Sequence, residues 1–408
     1  MSRPRATYDN HFNPPDETSM DAGRVAKWAL WHSQSDDPEM CCVVCGSLIP
    51  IPLGPEPLWP ERRRWGRRLE PATGPCAELE SMEYQVYPSV AVSLYRAILD
   101  QPSEGPPQVL GIALCQIGIP GEPRSVHRDS QTATTWTGPE TVEDLCVPFH
   151  VADILGPDIN REQGRLVGYT IHMPCWVLLN RVIGKGLLEA NLSVLLRTVE
   201  SHWRANRSHW LTLGIIYGYE EHASGVLPWV KRPPMTPFGG GGGGVDHDWR
   251  CLETVTNSAV VPEIRAVIEK AERNQAGNRS RRRGQHVSAR VPIEVVMMIV
   301  EAIYKDPGYG SGGITDTQHL LAAFAWHLPD WYWQARCHPW LIFEVRDLMR
   351  ANRVVDWEDL CLGVEGLLCN HHWYYHSGLR NRARIVRWIE RIRDGFMSRL
   401  DRNGGGEG

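Results

Sequence analysis

The clearest hydrophobic pattern in the chain lies between Val291 and Trp340. Apolar residues recur there at spacings of three and four, as they do on one face of an α-helix. The residues with this spacing are Val295, Val296, Ile299, Val300 and Ile303. Pro292 just before them suits the first helical turn, where the missing N–H would have no partner anyway. The pattern predicts an amphipathic helix from Pro292 to about residue 305.

The same periodicities predict the other elements. Further C-terminal helices are predicted near residues 315–327, 339–350, 356–368 and 379–399. In the N-terminal half, helices are predicted over 89–99, 175–183 and 187–203, strands over 109–119 and 167–172, and a loop over 121–143. A short helix is predicted over 261–273. The sequence therefore predicts an α+β fold, in which a mixed, loop-rich N-terminal domain precedes a mostly helical C-terminal domain.

A run of six glycines at 239–244 marks the main predicted boundary. Ordering such a run costs so much conformational entropy that it is expected to be a flexible linker. The predicted organisation is a disordered lead at 1–20, an N-terminal domain at 21–232, a flexible Gly-rich and Arg-rich linker with a short helix at 233–290, the helical domain at 291–400 and a disordered tail at 401–408.

Composition narrows the class of protein. The chain has 408 residues, 42% of them hydrophobic and 22% charged, which is typical of globular proteins. The net charge of -5 argues against a nucleic-acid-binding surface over the whole molecule. No apolar run is long enough for a membrane span, and the N-terminus lacks a hydrophobic signal segment. We expect a cytoplasmic or nuclear protein that is not secreted and has no membrane partner.

Two residue pairs predict a metal site. Cys42 and Cys45 form a C-x-x-C, and His172 and Cys175 form an H-x-x-C. Three thiolates and one imidazole would together make a closed tetrahedral site for one structural zinc. The arrangement resembles the split ligand pairs of treble-clef and plant-homeodomain-like zinc modules. The alternative is that all four are buried, reduced side chains, because more than a hundred residues separate the pairs.

The helix that begins at Pro292 also resembles the opening of an F-box. The residues at the positions of its usual pattern are Val291, which replaces the usual leucine, and Pro292, Glu294, Val295, Val296, Ile299 and Ile303. Asp316–Phe324 is similar to the second F-box helix. Pro329–Arg336 resembles the form that this part of the sequence takes in fungal F-box-like proteins. Proteins of that kind carry a similar cysteine pair and histidine–cysteine pair upstream of the box.

The resemblance implies a non-catalytic adaptor that docks a Skp-type partner of a cullin ubiquitin ligase, while the N-terminal region recruits an unknown protein substrate. The implied docking residues are Val291, Pro292, Val295, Val296, Ile299, Leu320, Leu321 and Phe324. The alternative is a zinc-stabilised interaction or structural module without a ligase link, in which these residues form an internal core. No H-E-x-x-H, Walker loop or nucleophile elbow predicts an enzyme, and no organic cofactor is expected.

Overall fold

A computed structural model describes the molecule in segments. The described residues are 40–47, 49, 73–81, 93–100, 105–115, 123–134, 145–207, 210, 258–282, 291–305, 311–370, 373–374 and 377–404. The predicted lead at 1–20 and the glycine run at 239–244 lie outside these residues.

The N-terminal half is built on one mixed sheet of seven strands. The strands are β1 (Thr73–Pro75), β2 (Leu94–Asp100), β3 (Gln108–Leu114), β4 (Arg124–His127), β5 (Thr132–Thr134), β6 (Cys146–Val151) and β7 (Val167–His172). Their order in the sheet is β1-β5-β3-β2-β7-β6-β4, with β3 parallel to β5 and β6 parallel to β7. The sheet curls, because β4 at one end of it also lies against β3. A Cβ atom added to Gly111 of β3 would lie 3.2 Å from the Cβ atom of His127 in β4.

Helices cover this sheet and follow its last strand. The helices of the N-terminal half are α1 (Cys76–Glu80), α2 (Ile159–Glu162), α3 (Met173–Val182), α4 (Lys185–Ala190) and α5 (Leu192–Ala205). α3 contacts β2 and β7, and seven of its residues are buried. The predicted helix over 187–203 is broken at Asn191, whose φ of -134° and ψ of 36° are not helical.

The C-terminal half is helical. Its helices are α6 (Pro262–Arg282), α7 (Ile293–Lys305), α8 (Ser311–Phe324), α9 (Asp330–Arg336), α10 (Phe343–Arg350), α11 (Trp357–Cys369) and α12 (Gly378–Gly404). α6 to α11 and the first residues of α12 share one hydrophobic core. The α+β composition with C-terminal helices is therefore confirmed. None of the helices in the described part of the chain is both long and apolar enough to span a bilayer.

The long helix α12 joins the two halves. Ile389, Ile392 and Phe396 are fully buried and belong to the core of the sheet, α3 and α5, whereas Leu379 belongs to the core of the C-terminal helices. A single 27-residue helix thus contributes apolar side chains to both cores.

Arg382 of α12 is a fully buried cation that fixes this arrangement. Its guanidinium forms a two-pronged ion pair with Glu344 at 2.8 and 2.9 Å. It also donates to the carbonyl oxygens of Ser258, Ala259 and Leu341. A buried charge is tolerated when every donor is satisfied in this way. Arg382 therefore connects α12, α10 and the segment before α6.

Three further predictions were wrong. Residues 94–100, predicted as helix, form strand β2, which lies between β3 and β7 and has both faces buried. Such a strand lacks the alternation that distinguishes it from a buried helix. The loop predicted over 121–143 contains β4 and β5. The helix predicted to end at residue 273 continues to Arg282, although the residues after 273 were predicted to belong to the flexible Arg-rich linker.

Candidate functional site

The first candidate ligand pair lies in a tight turn. Cys42 accepts from the N–H of Gly46 at 2.8 Å and donates its own N–H to Ser47 at 2.9 Å, which closes a loop around Cys45. Gly46 has a φ of +70°, a left-handed conformation in which glycine carries no steric penalty. This closed turn directs the two thiols of the C-x-x-C toward the same side, as a chelating pair requires.

The second pair lies where β7 ends and α3 begins. His172 is the last residue of β7, and Cys175 is in the first turn of α3, three residues later. Pro174 in that first turn lacks only an N–H that would have no helical partner. The step from strand to helix brings the imidazole and the thiol together.

Backbone hydrogen bonds join the two pairs despite their distance in sequence. Val43 N–H donates to the carbonyl of Thr170 at 2.9 Å, and Thr170 Oγ1 donates to the carbonyl of Cys41 at 2.6 Å. The N–H of His172 donates to Cys42 Sγ at 3.3 Å. The turn is thus attached along β7, which offsets the cost of closing a long loop.

The four candidate ligand atoms converge. The donor atoms of Cys42, Cys45, His172 and Cys175 all lie within 4.8 Å of one another, and all four residues are buried. His172 presents Nδ1 to the sulfurs, at 3.4 Å from Cys45 Sγ and 3.9 Å from Cys175 Sγ. Tetrahedral Zn–S bonds of about 2.3 Å place sulfurs about 3.8 Å apart. The predicted Cys3His cluster is therefore assembled, and it can hold a metal ion.

Electrostatics within the cluster favour a bound cation. Burial alone would lower the pKa of His172, but the sulfur charges of Cys42 and Cys45 outweigh it and raise that pKa to about 10. Hydrogen bonds from Cys175 and Cys42 hold the pKa of Cys45 well below its usual value. Burial raises the pKa of Cys175. Negative charge on buried sulfur thus attracts either a proton on His172 or a metal ion.

Trp203 of α5 braces the turn that carries Cys42 and Cys45. Its indole N–H donates to the carbonyl of Val43 at 2.6 Å, and its ring lies directly over Gly46. On its other side the ring lies 5.3 Å from that of Trp388 in α12. The sequence showed no signal for this brace, because the turn, α5 and α12 are far apart along the chain.

The second candidate site is the outer face of α7. Val295 and Ile299 are 41% and 36% exposed, and Met298, which the sequence analysis did not include, is 70% exposed. Val296 and Val300 point the other way, into the core of the C-terminal helices. At 3.6 residues per turn, positions 295, 298 and 299 share one side of the helix. α7 therefore has an apolar face in the core and another in contact with solvent, which we call the α7 face (Val295, Met298 and Ile299).

The remaining residues implied by the F-box resemblance are divided. Pro292 and Phe324 are exposed, and Val291 and Leu320 are half-buried. Leu321 is buried in the same core as Val296, so a partner can reach neither of these two side chains. On the last helix, Arg384 is only 9% exposed and donates to Asn381.

Comparisons of the chain with protein-family models, with curated proteins and with solved structures found no match.

Proposed function

We propose that the protein is a non-catalytic adaptor that binds a second protein through the α7 face. The observation that carries the proposal is the exposure of three large apolar side chains on a helix whose opposite side is already buried. Val295, Met298 and Ile299 keep a large part of their apolar surface in contact with solvent, and exposed apolar patches of this kind mark protein interaction sites. Burying one such side chain fully contributes about 1.5–3 kcal/mol.

A Skp-type subunit of a cullin ubiquitin ligase is the partner that the F-box resemblance favours. The exposed residues Pro292, Val295 and Ile299 belong to that resemblance, and α8 and α9 follow α7 in the order that it implies. The adaptor would need no active site of its own, since ubiquitin transfer is catalysed by other subunits. Its place of action would then be the cytoplasm or the nucleus.

We also propose that the metal is zinc and that its role is structural. Three thiolates and one imidazole are the ligand types that zinc prefers, and four protein ligands leave no position for a substrate. All four are buried and held by backbone hydrogen bonds, as in a closed structural site. Stoichiometric zinc in the purified protein, lost in Cys42→Ser and in His172→Ala, is the expected result of metal analysis.

A binding assay with a purified Skp-type protein tests the adaptor proposal. Ile299→Asp and Met298→Asp place a charge on the α7 face and should abolish capture, while the melting temperature of each variant stays close to that of the wild type. Val354→Asp is the matched control, since Val354 is 54% exposed in the same helical half but lies between α10 and α11. It should leave capture unchanged.

The adaptor proposal fails if folded wild-type protein does not bind the Skp-type subunit, or if Val354→Asp weakens binding as much as Ile299→Asp. The protein would then be better explained as a zinc-stabilised interaction or structural module without a ligase link. The buried four-ligand cluster favours that second function independently of the α7 face.

A further inference from the structure

Arginine is concentrated on α5 and α12, which pack side by side. α12 contains eight arginines and three acidic residues, and α5 contains two arginines and one glutamate. The two helices are in close contact, because a Cβ added to Gly395 would lie 3.2 Å from Thr198. The chain as a whole has a net charge of -5. An acidic molecule thus carries a strongly basic pair of helices.

Two of these arginines lie at the seam between the helices and are held by neutral groups. The guanidinium of Arg391 lies over the ring of Trp388, 4.9 Å from its centre. Arg399 crosses the seam and donates to Ser201 Oγ of α5 at 2.7 Å. Arg391 is exposed and Arg399 is half-buried.

Two further exposed arginines are held by the carbonyl of the preceding helical turn. Arg197 of α5 donates to Ser193 at 3.2 Å, and Arg402 of α12 donates to Ser398 at 3.0 Å. We call Arg197, Arg391, Arg399 and Arg402 the arginine surface. Within the described segments, none of the four has a carboxylate at ion-pair distance.

Some arginines outside this surface are neutralised by carboxylates. Arg336 lies 2.6 Å from Glu301, and Arg353 lies 3.2 Å from Glu272. The neutral contacts of the arginine surface fix the guanidiniums without cancelling their charge. Donors oriented in this way form strong, charge-assisted bonds with carboxylates and lose little side-chain entropy in doing so.

The size of the arginine surface fits a short peptide segment. Arg391 and Arg402 are eleven residues apart on the same side of α12, which corresponds to about 16 Å along the helix axis. An extended chain advances about 3.3 Å per residue, so about five residues span this distance. A nucleic acid is less suitable, because Glu390 and Asp394 lie on α12 within one turn of Arg391 and would repel a wider array of phosphates.

We propose that the arginine surface binds an acidic segment of a partner protein. The inference deepens the adaptor proposal and rests on it for the role of that partner, which would be the protein recruited to the ligase. The binding itself is a property of α5 and α12 and can be measured without the ligase.

The test uses the full-length, zinc-loaded protein and a fluorescein-labelled peptide of ten glutamates, at about 0.15 M salt, where exposed charges are screened beyond about 8 Å. The double variant Arg391→Gln, Arg399→Gln should weaken binding by about tenfold or more, as expected for the loss of two charge-assisted contacts. The double variant Arg273→Gln, Arg353→Gln removes two arginines from α6 and from the turn after α10, outside the arginine surface, and should change the affinity less than twofold.

Three results would overturn the inference: equal binding of a ten-glutamine peptide, equal weakening by the control variant, or tighter binding of a ten-nucleotide oligo-dT that the same arginine variant abolishes. The last would assign the surface to nucleic acid. Ile299→Asp separates this inference from the adaptor proposal. A variant that loses the Skp-type subunit but keeps the peptide shows two independent surfaces, and loss of peptide binding alone leaves the adaptor proposal intact.

Discussion

Gly46 is the residue on which the geometry of the metal-binding turn depends most directly. Its φ is +70°, and an added Cβ would lie 2.7 Å from the ring of Trp203. Trp203 is fully buried and cannot move aside easily. We therefore expect Gly46→Ala to destabilise the protein by about 2 kcal/mol or more, from the left-handed backbone and the contact together. Urea unfolding with and without bound zinc measures this change.

Gly366→Ala is the control for that substitution. Gly366 lies inside α11, has no positive φ, and nothing lies within 4 Å of an added Cβ. Alanine there should be neutral or stabilise the protein by up to about 1 kcal/mol, because it favours the helix. If both variants have the same stability, Gly46 does not have the left-handed backbone and the close contact with Trp203 that the structure shows.

We expect His338 to make the stability of the C-terminal half depend on pH. Burial, helped by the nearby charge of Arg336, lowers the pKa of His338 from 6.5 to about 4. The folded state thus binds this proton less readily than the unfolded chain does. The stability contributed by neutral His338 is complete above pH 6.5 and is lost as the pH falls toward 4.

His338→Asn removes this titration and keeps the backbone, since asparagine tolerates the φ of +48° at this position. Between pH 7.5 and pH 5, the unfolding free energy of the wild type should fall by about 2 kcal/mol more than that of the variant. Urea titrations of both proteins at the two pH values give this difference. Parallel pH profiles would show that His338 is not buried as a neutral group.

At the scale of elements, the sequence was sufficient to predict the helices that have one buried and one exposed face. α7, α10, α11 and α12 were predicted within a few residues, because their apolar spacing survives in the fold. β2 was not, since a central strand buried on both faces has no alternating pattern. β4 and β5 were not, because three- and four-residue strands in a Thr- and Ser-rich segment carry too little periodicity.

The candidate sites show the same limit. The ligands Cys42, Cys45, His172 and Cys175 were predictable because local C-x-x-C and H-x-x-C spacing reflects chelation itself. The brace by Trp203 was not, since it depends on three elements that meet only in the folded chain. Met298 was not among the predicted docking residues. Those residues came from the F-box resemblance, which does not show which side of α7 is buried.

Arg382 tests how strongly the elements of the C-terminal half depend on one another. Replacing it with leucine leaves Glu344 without its cation, and deprives three carbonyls of a donor. Removing one member of a buried ion pair costs about 3–5 kcal/mol. Arg382→Lys keeps the charge but loses the two-pronged pairing, so it should be intermediate.

Arg393→Leu is the matched control on the same helix. Arg393 pairs with its exposed neighbour Asp394, and exposed pairs contribute at most about 1 kcal/mol. Thermal unfolding of the three variants should rank Arg382→Leu as the least stable and Arg393→Leu as close to the wild type. A small effect of Arg382→Leu would mean that the segment before α6 is held to α12 by apolar contacts alone.

At the scale of the whole molecule, the metal-binding cluster is connected to the helical half through aromatic rings. The turn that carries Cys42 and Cys45 is held under Trp203, and Trp203 contacts Trp388 of α12. The core that includes these residues is separate from the core of α6 to α11. Loss of the metal should therefore weaken the first core directly and reach the second only through α12.

Hydrogen exchange with and without a zinc chelator measures this propagation. Without metal, repulsion between buried thiolates and loss of the cross-link should open the turn, so exchange should accelerate in residues 40–47, in α5 and in the part of α12 from Trp388 onward. Exchange in α9 and α11 should change little, because their contacts lie in the other core. Acidification should act like the chelator, since protons compete with the metal for thiolates and imidazole. If α9 and α11 exchange as fast as α5 after chelation, the two cores unfold as one unit and the metal stabilises the entire chain.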